Sequence, residues 1–228
     1  MGAKGRLCLP GARRGAAVSL TDDQLDRKQT KRHGGDIPSR STFALDGCCP
    51  KRIAIRMTAF IVLLRAVNVG GTGRLPMTDL RAMCVAAGYS QVQTYIASGN
   101  LVFVAKDQQA QIKATLEARL KAYAGKPVGV VVRTAGEMAA VLAANPFPKA
   151  APNRTVAIFL DEPPPANALD GIRGRKDEEL RLGRREIYVH YGEGMGKSKL
   201  VIPAAKTGTA RNMNTVAKLV ELAANISL

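Results

Sequence analysis

From Phe60 onward, apolar residues fall into strand-like runs and helical stripes; before Met57 they form neither pattern. The run at 60–69 reads as one continuous apolar strand, as expected of a central strand covered on both faces. Pro76 opens a helix with Met77, Leu80, Met83, Cys84 and Ala87 on one stripe, and Gly88 closes it. Two strands, 92–97 and 101–105, meet at the short turn Ser98-Gly99-Asn100, where glycine supplies positive φ. Ile112, Leu116 and Leu120 recur every fourth residue and mark a second helix, followed by a strand at 127–133. The order strand, helix, strand, strand, helix, strand is the split βαβ of a ferredoxin-like sandwich.

A helix around Met138, Val141 and Leu142 then runs into NPFPKAAP at 145–152, a proline-rich break and the expected domain boundary. Beyond it come a strand at 155–160, a short helix at 166–173, and a hairpin of 179–182 with 186–191 turning at Gly183. A helix at 199–206 follows, and a last one carries Val216, Leu219, Val220 and Ala223 on one face. This order loosely repeats the first half. The expected architecture is therefore α+β, with two ferredoxin-like (α/β-plait) sandwich subdomains over residues 57–145 and 153–228.

Residues 1–56 are rich in Gly, Arg, Lys, Thr and Ser and lack periodicity, so they are expected to be a disordered basic extension. Two origins fit: a basic arm that touches nucleic acid, or translated sequence ahead of a start at Met57. The second is favoured, because a strand begins three residues after that methionine. Arg13 and Arg14 interrupt any signal-peptide core, and the apolar run at 59–64 is far shorter than a membrane span of roughly 20 residues. A cytoplasmic location is expected.

Charge adds one element to this picture. The net charge is +16, with 12 basic and 5 acidic residues in 1–56 against 22 and 13 in the rest. Such an excess attracts polyanions by counterion release. Only Cys84 of the four cysteines lies beyond residue 56, no C-x-x-C pair occurs, and His33 and His190 are the only imidazoles. Neither a structural zinc site nor a disulfide framework is expected. Cys84, on an apolar helix stripe, reads as core.

Several short motifs carry candidate chemistry. YGEGMGKSKL at 191–200 resembles a phosphate-binding loop but leaves three residues between Gly192 and Gly196 where the true loop has four. A looser anion site at the amides of 196–198 with Lys197, Ser198 and Lys199 fits the residues better. Arg65 falls inside an apolar strand and must find acceptors or face a cleft, and Asn68 follows it beside Gly70, Gly71 and Gly73. Arg211 and Asn212 precede the last helix, where Asn212 is a natural N-cap. An RNA-stacking platform needs aromatics on the first and third strands of an open sheet, and here the third strand offers Phe103 alone. His190, beside Tyr188 and Tyr191, reads as a hydrogen-bonded, partly buried histidine.

Taken together, LLRAVNVGG, PMTDLRAMCVAAGY, VQTYIASGNLVF, NPFP, GKSKL and TARNMNTVAKL, in that order over 57–228, resemble the bacterial domain-of-unknown-function family numbered 1697. Ala66 departs from it, where Gly is more usual, as does Met213, often Trp in relatives. The resemblance implies two α/β-plait subdomains and no activity, so it supplies no catalytic residue.

The residues favour a binding or regulatory protein for a phosphate-bearing ligand, nucleotide or nucleic acid. Arg65, Asn68, Lys197, Ser198, Lys199, Arg211 and Asn212 would line a basic cleft between the subdomains. One alternative is an enzyme acting on a small phosphorylated metabolite with Asp161 or Glu193 as base. Another is an interaction protein in which these same residues only stitch the halves together. No metal is expected, and the residues leave cofactor and oligomeric state open.

Overall fold

The computed structural model describes residues 56–68 and 75–226. The expectations for 1–55, for Val69 and for the glycines at 70, 71 and 73 lie outside the described residues. Two four-stranded antiparallel sheets carry the architecture. The first contains β1 (Thr58–Leu64), β2 (Ser90–Tyr95), β3 (Asn100–Ala105) and β4 (Val130–Thr134) in the order β2-β3-β1-β4. The second contains β5 (Thr155–Phe159), β6 (Glu179–Leu182), β7 (Glu186–His190) and β8 (Thr209–Asn212) in the equivalent order β6-β7-β5-β8. The loose repeat seen in the sequence is thus a repeat of topology, and the first half has the ferredoxin-like split βαβ.

Strand alternation sends the two faces of each sheet to different cores. In the first sheet, Phe60, Val62, Leu101, Phe103 and Val132 pack against helices α1 (Met77–Ala86) and α2 (Gln109–Ala124). Leu80 and Cys84 of α1, with Ile112, Leu116 and Leu120 of α2, supply the facing apolar side chains, as their spacing predicts. The opposite face, with Ala59, Ile61, Leu63, Val102, Val104 and Val131, joins a second core. That core also holds Met138 and Val141 of α3 (Ala135–Ala143), and Val216, Leu219 and Ala223 of α4 (Met213–Ala224). Ala157, Phe159 and Tyr188 of the second sheet complete it, so one core is shared by both halves. Burying each of the larger aliphatic or phenylalanine side chains is worth about 1.5–3 kcal/mol.

This shared core has a functional consequence. The face that a ferredoxin-like sheet would leave open for stacking bases is covered by α3 and α4. Phe103 points the other way and stacks on Tyr89, with ring centroids 4.5 Å apart. Cys84 is fully buried, and burial pushes its thiol up to about 12, far from a reactive thiolate.

Three sequence expectations need correction. The first strand ends at Leu64, because Ala66 and Asn68 take left-handed φ values of 50° and 57° that no strand continues through. Arg65 still donates its amide to Gly129 O at 2.9 Å, but its side chain is exposed. Residues 166–173 form turns and no helix; the triple proline precedes them, and Gly171 and Gly174 have φ of 70° and 68°. The helix expected at 199–206 shrinks to a single 3₁₀ turn at Pro203–Ala205, since Val201 instead pairs in a β-bridge with Arg173. Leu169, Ile172, Leu200 and Ile202 still pack on the outer face of the second sheet, so their apolar pattern reports burial and misreports conformation.

Candidate functional site

The polar chemistry concentrates where the fourth strand of each half ends against the other half. In the second half, Arg211 on β8 is buried, and its guanidinium is surrounded by neutral acceptors. Nε donates to Asn100 Oδ1 at 2.5 Å, and one terminal nitrogen donates to Leu64 O at 2.8 Å and Ser98 O at 2.9 Å. The other reaches Thr209 Oγ1 at 2.9 Å and Ala210 O at 2.8 Å. Leu64, Ser98 and Asn100 all belong to the first half, so this side chain ties the two halves together. Burial lowers its pKa to about 10, which leaves it charged at neutral pH.

Arg133 on β4 makes the reciprocal contact. It is 2% exposed, donates to Val132 O at 2.8 Å, and reaches across to Leu160 O and, at 3.3 Å, to Arg185 O. Leu160 follows β5 as Leu64 ends β1, and their amides bond Arg185 O and Gly99 O in the facing hairpins. Each arginine also stands one residue before the N-cap of the next helix, Thr134 for α3 and Asn212 for α4. Burial, and secondarily the neighbouring Arg185, lowers the Arg133 pKa to about 10.

Beside Arg133 opens a hollow of about 470 Å³ between α3 and the β6–β7 hairpin, rimmed by Arg181, Arg184 and Arg185. Its two carboxylates are already engaged. Glu186 is buried and accepts from the amides of Arg184 and Arg185, each at 3.0 Å, while Tyr188 Oη donates to it at 3.3 Å. Glu137 accepts from Thr134 N at 2.8 Å, Gln109 Nε2 at 2.7 Å and Arg185 at 2.8 Å. Burial pushes the Glu137 carboxyl up, but the Thr134 amide, Arg185 and Gln109 outweigh it and hold the group below the usual range. Arg184 lines the hollow with no side-chain hydrogen bond or ion pair among the described residues. The hollow thus has four cations around two hydrogen-bonded carboxylates.

A family model described as a protein of unknown function, DUF1697, matches residues 57–188, more than half of the chain. The chain belongs to this family. A solved structure of conserved bacterial protein SP0830 from Streptococcus pneumoniae is similar over 74% of this chain and 99% of that one, with a TM-score of 0.62 and 25% identity. No curated protein matches.

In this DUF1697 chain the candidate binding residues singled out by sequence divide into four groups. Asn68 closes its own loop: Nδ2 donates to Leu75 O at 3.0 Å and Ala97 O at 2.8 Å, and Oδ1 accepts from Leu75 N at 2.8 Å. Asn212 caps α4 by accepting from Thr215 N at 2.9 Å, and with Arg211 it lines a smaller hollow of about 210 Å³ that also touches Ser98 and Met195. Arg65, exposed, donates to Lys206 O.

The 191–200 loop is occupied from within. Asp177 Oδ2 accepts from Glu193 N at 2.8 Å, Ser198 Oγ donates to the buried Glu178, and the amides of Lys197 and Ser198 close the turn on Gly194 O and Met195 O. Lys197 and Lys199 are exposed. Asp161 is held by Lys113 Nζ at 2.6 Å. His190 Nδ1 lies 3.3 Å from Thr155 Oγ1, and its ring packs near Phe147.

Sequence reading missed Arg133, Arg181, Arg184 and Arg185. The signal was present in two places: a lone arginine ending the apolar run VVVRT, and three arginines within RLGRRE at a hairpin tip. Among the described residues no group of three or more His, Cys, Asp or Glu is placed to hold a metal ion, and no helix is long and apolar enough to cross a membrane.

Proposed function

We propose that this protein binds a small phosphate-bearing ligand, of nucleotide or sugar-phosphate size, in the arginine-rimmed cleft between α3 and the β6–β7 hairpin. The observation that supports this reading is Arg184, without a side-chain partner among the described residues, beside Arg181, Arg185 and the buried Arg133 in a hollow whose two carboxylates are held by hydrogen bonds and outnumbered two to one by cations. The volume of about 470 Å³ falls in the range of small-molecule sites. Arginine's planar fork matches the oxygens of a phosphate.

Binding is favoured over hydrolysis because Glu137 and Glu186 are both fixed by amides and neighbours, which suits them to shaping the cleft and unfits them as a general base. The basic cleft between the two halves expected from sequence is kept in this reading, but its lining moves to residues 133–146 and 181–188. Arg211, Asn212 and Asn68 become framework.

The test is calorimetric titration with nucleoside mono- and diphosphates, sugar phosphates and inorganic phosphate against wild type and the Arg181→Ala/Arg184→Ala variant. Tight binding by the wild type and a loss of at least tenfold in the variant, at unchanged melting temperature, is expected. Equal affinity in both proteins would place the ligand elsewhere, and no binding by the wild type at millimolar ligand would end the proposal.

A further inference from the structure

The smaller hollow, of about 210 Å³, is built from elements equivalent to those of the arginine-rimmed cleft. The end of the β2–β3 hairpin and the start of α4 stand in place of the β6–β7 hairpin and α3. Its charge differs in kind. No aspartate or glutamate lines it, and its one cation is the buried Arg211. The carboxylates of Glu137, Glu186 and Asp161 favour the charged form of Arg133, whereas no described carboxylate offsets the burial of Arg211. All five N–H donors of Arg211 are engaged by neutral acceptors, so its guanidinium lends the hollow charge and no free hydrogen bond. A buried cation without a counter-ion is costly, and an anion beside it relieves that cost.

Donors free to hold such an anion stand around the same hollow. Thr215, in the first turn of α4, is 8% exposed, and its hydroxyl has no hydrogen-bond partner among the described residues. Among those residues only the Tyr89 hydroxyl is both unpartnered and fully enclosed, so Thr215 Oγ1 opens on the hollow it lines. Asn212 uses Oδ1 to cap α4, which leaves its Nδ2 without a described partner. Ser98 Oγ accepts from Asn100 Nδ2 at 3.0 Å and donates to no described residue, and the side chain of Asn153 bonds none of them. These neutral donors gather at the amino end of a 12-residue helix with no acidic residue in its first turn, where the backbone dipole also favours negative charge.

The rim is apolar. Ile96 and Met195 line the hollow and are exposed. Ile96 is held at φ 51°, a left-handed conformation that a β-branched residue rarely adopts. We infer that this hollow binds the carboxylate of a short aliphatic acid, with the head group among the free donors and the chain against Ile96 and Met195. The volume of about 210 Å³ lies below the range of about 300–1,000 Å³ that drug-sized ligands fill, which selects a small molecule. A single guanidinium with no free N–H suits a singly charged carboxylate. Phosphate groups are held by open arginine forks, which this hollow lacks.

The experiment is titration of the full, isotope-labelled chain with hexanoate, its neutral amide hexanamide, and inorganic phosphate, followed by backbone amide chemical shifts. Hexanoate should shift the amides of Ser98 and residues 212–215 and saturate, and hexanamide should bind weaker by about tenfold or more. Phosphate should leave those amides unmoved. Asn153→Ala/Thr215→Val removes two donors that bond no described residue through their side chains, and it should weaken hexanoate by about tenfold or more. Wild-type affinity in that variant, equal binding of acid and amide, or tighter binding of phosphate at the same amides would each overturn the inference. Shifts confined to residues 181–186, or none at millimolar hexanoate, would do so as well. The comparison of acid with amide uses wild type alone, so it decides the matter even where the variant fails to fold.

Discussion

Arg211 offers the sharpest test of how the two halves are joined. Substitution by methionine keeps most of the side-chain volume and removes every donor. Leu64 O retains a partner, because Thr209 Oγ1 also donates to it at 3.2 Å. Asn100 Oδ1, on a residue with no exposed surface, and Ser98 O both lose theirs. A stranded buried acceptor costs about 1–3 kcal/mol, and Ser98 borders the smaller hollow where water can reach it, so Arg211→Met should destabilise by about 1–3 kcal/mol, chiefly through Asn100. Measured against a typical domain stability of about 5–15 kcal/mol, that is a large loss.

Urea unfolding followed by far-UV circular dichroism suits a chain with no tryptophan. A double-mutant cycle with Asn100→Ala then isolates the Arg211–Asn100 bond, and the pair should be less than additive by about 1–2 kcal/mol. A loss below about 1 kcal/mol for Arg211→Met, or additivity within about 0.5 kcal/mol, would refute the view that this guanidinium is the fastening between the sheets.

Two further outcomes are expected. Glu137 has a carboxyl held below its ordinary range, so as pH falls the unfolded chain takes up its proton first. Its stabilisation is complete above about pH 4.3, the ordinary glutamate value, and is lost as pH falls through the folded value. Glu137→Gln should flatten the acid limb of the stability curve in urea titrations at pH 3–6, and an unchanged limb would contradict this. Ala66, at φ 50°, occupies a left-handed conformation that glycine adopts without strain. Ala66→Gly should therefore stabilise by about 0.5–1 kcal/mol in the same unfolding assay, whereas a loss of stability would show the left-handed turn to be relaxed.

Much of the architecture was legible in the residues. Periodicity located seven of the eight strands and the four α-helices, because each sheet is covered on both faces and its strands had to be apolar; it missed β8, whose four residues Thr209–Asn212 are mostly polar. It failed at 166–173 and 199–206, where Ile172, Leu200 and Ile202 are buried as a pattern predicts, yet prolines, positive-φ glycines and the Arg173–Val201 bridge set the backbone. The candidate site was harder to read. Asn68, Ser198 and Asn212 have the residue types of a ligand site, but hydrogen-bonding capacity does not say whether a partner is a ligand or a carbonyl of the same chain.

From its order of residues alone, this protein's repeated strand pattern, its buried Cys84 and its basic excess follow, since local propensity and burial act over a few neighbouring positions. Which arginines face solvent depends on contacts spanning more than a hundred residues. Arg211 is drawn under Leu64 and Asn100, while Arg184 is left unengaged on a hairpin tip beside α3. Only folding brings those distant carbonyls within reach of one guanidinium and away from another, and so separates an arginine that holds the molecule together from one free to meet an anion.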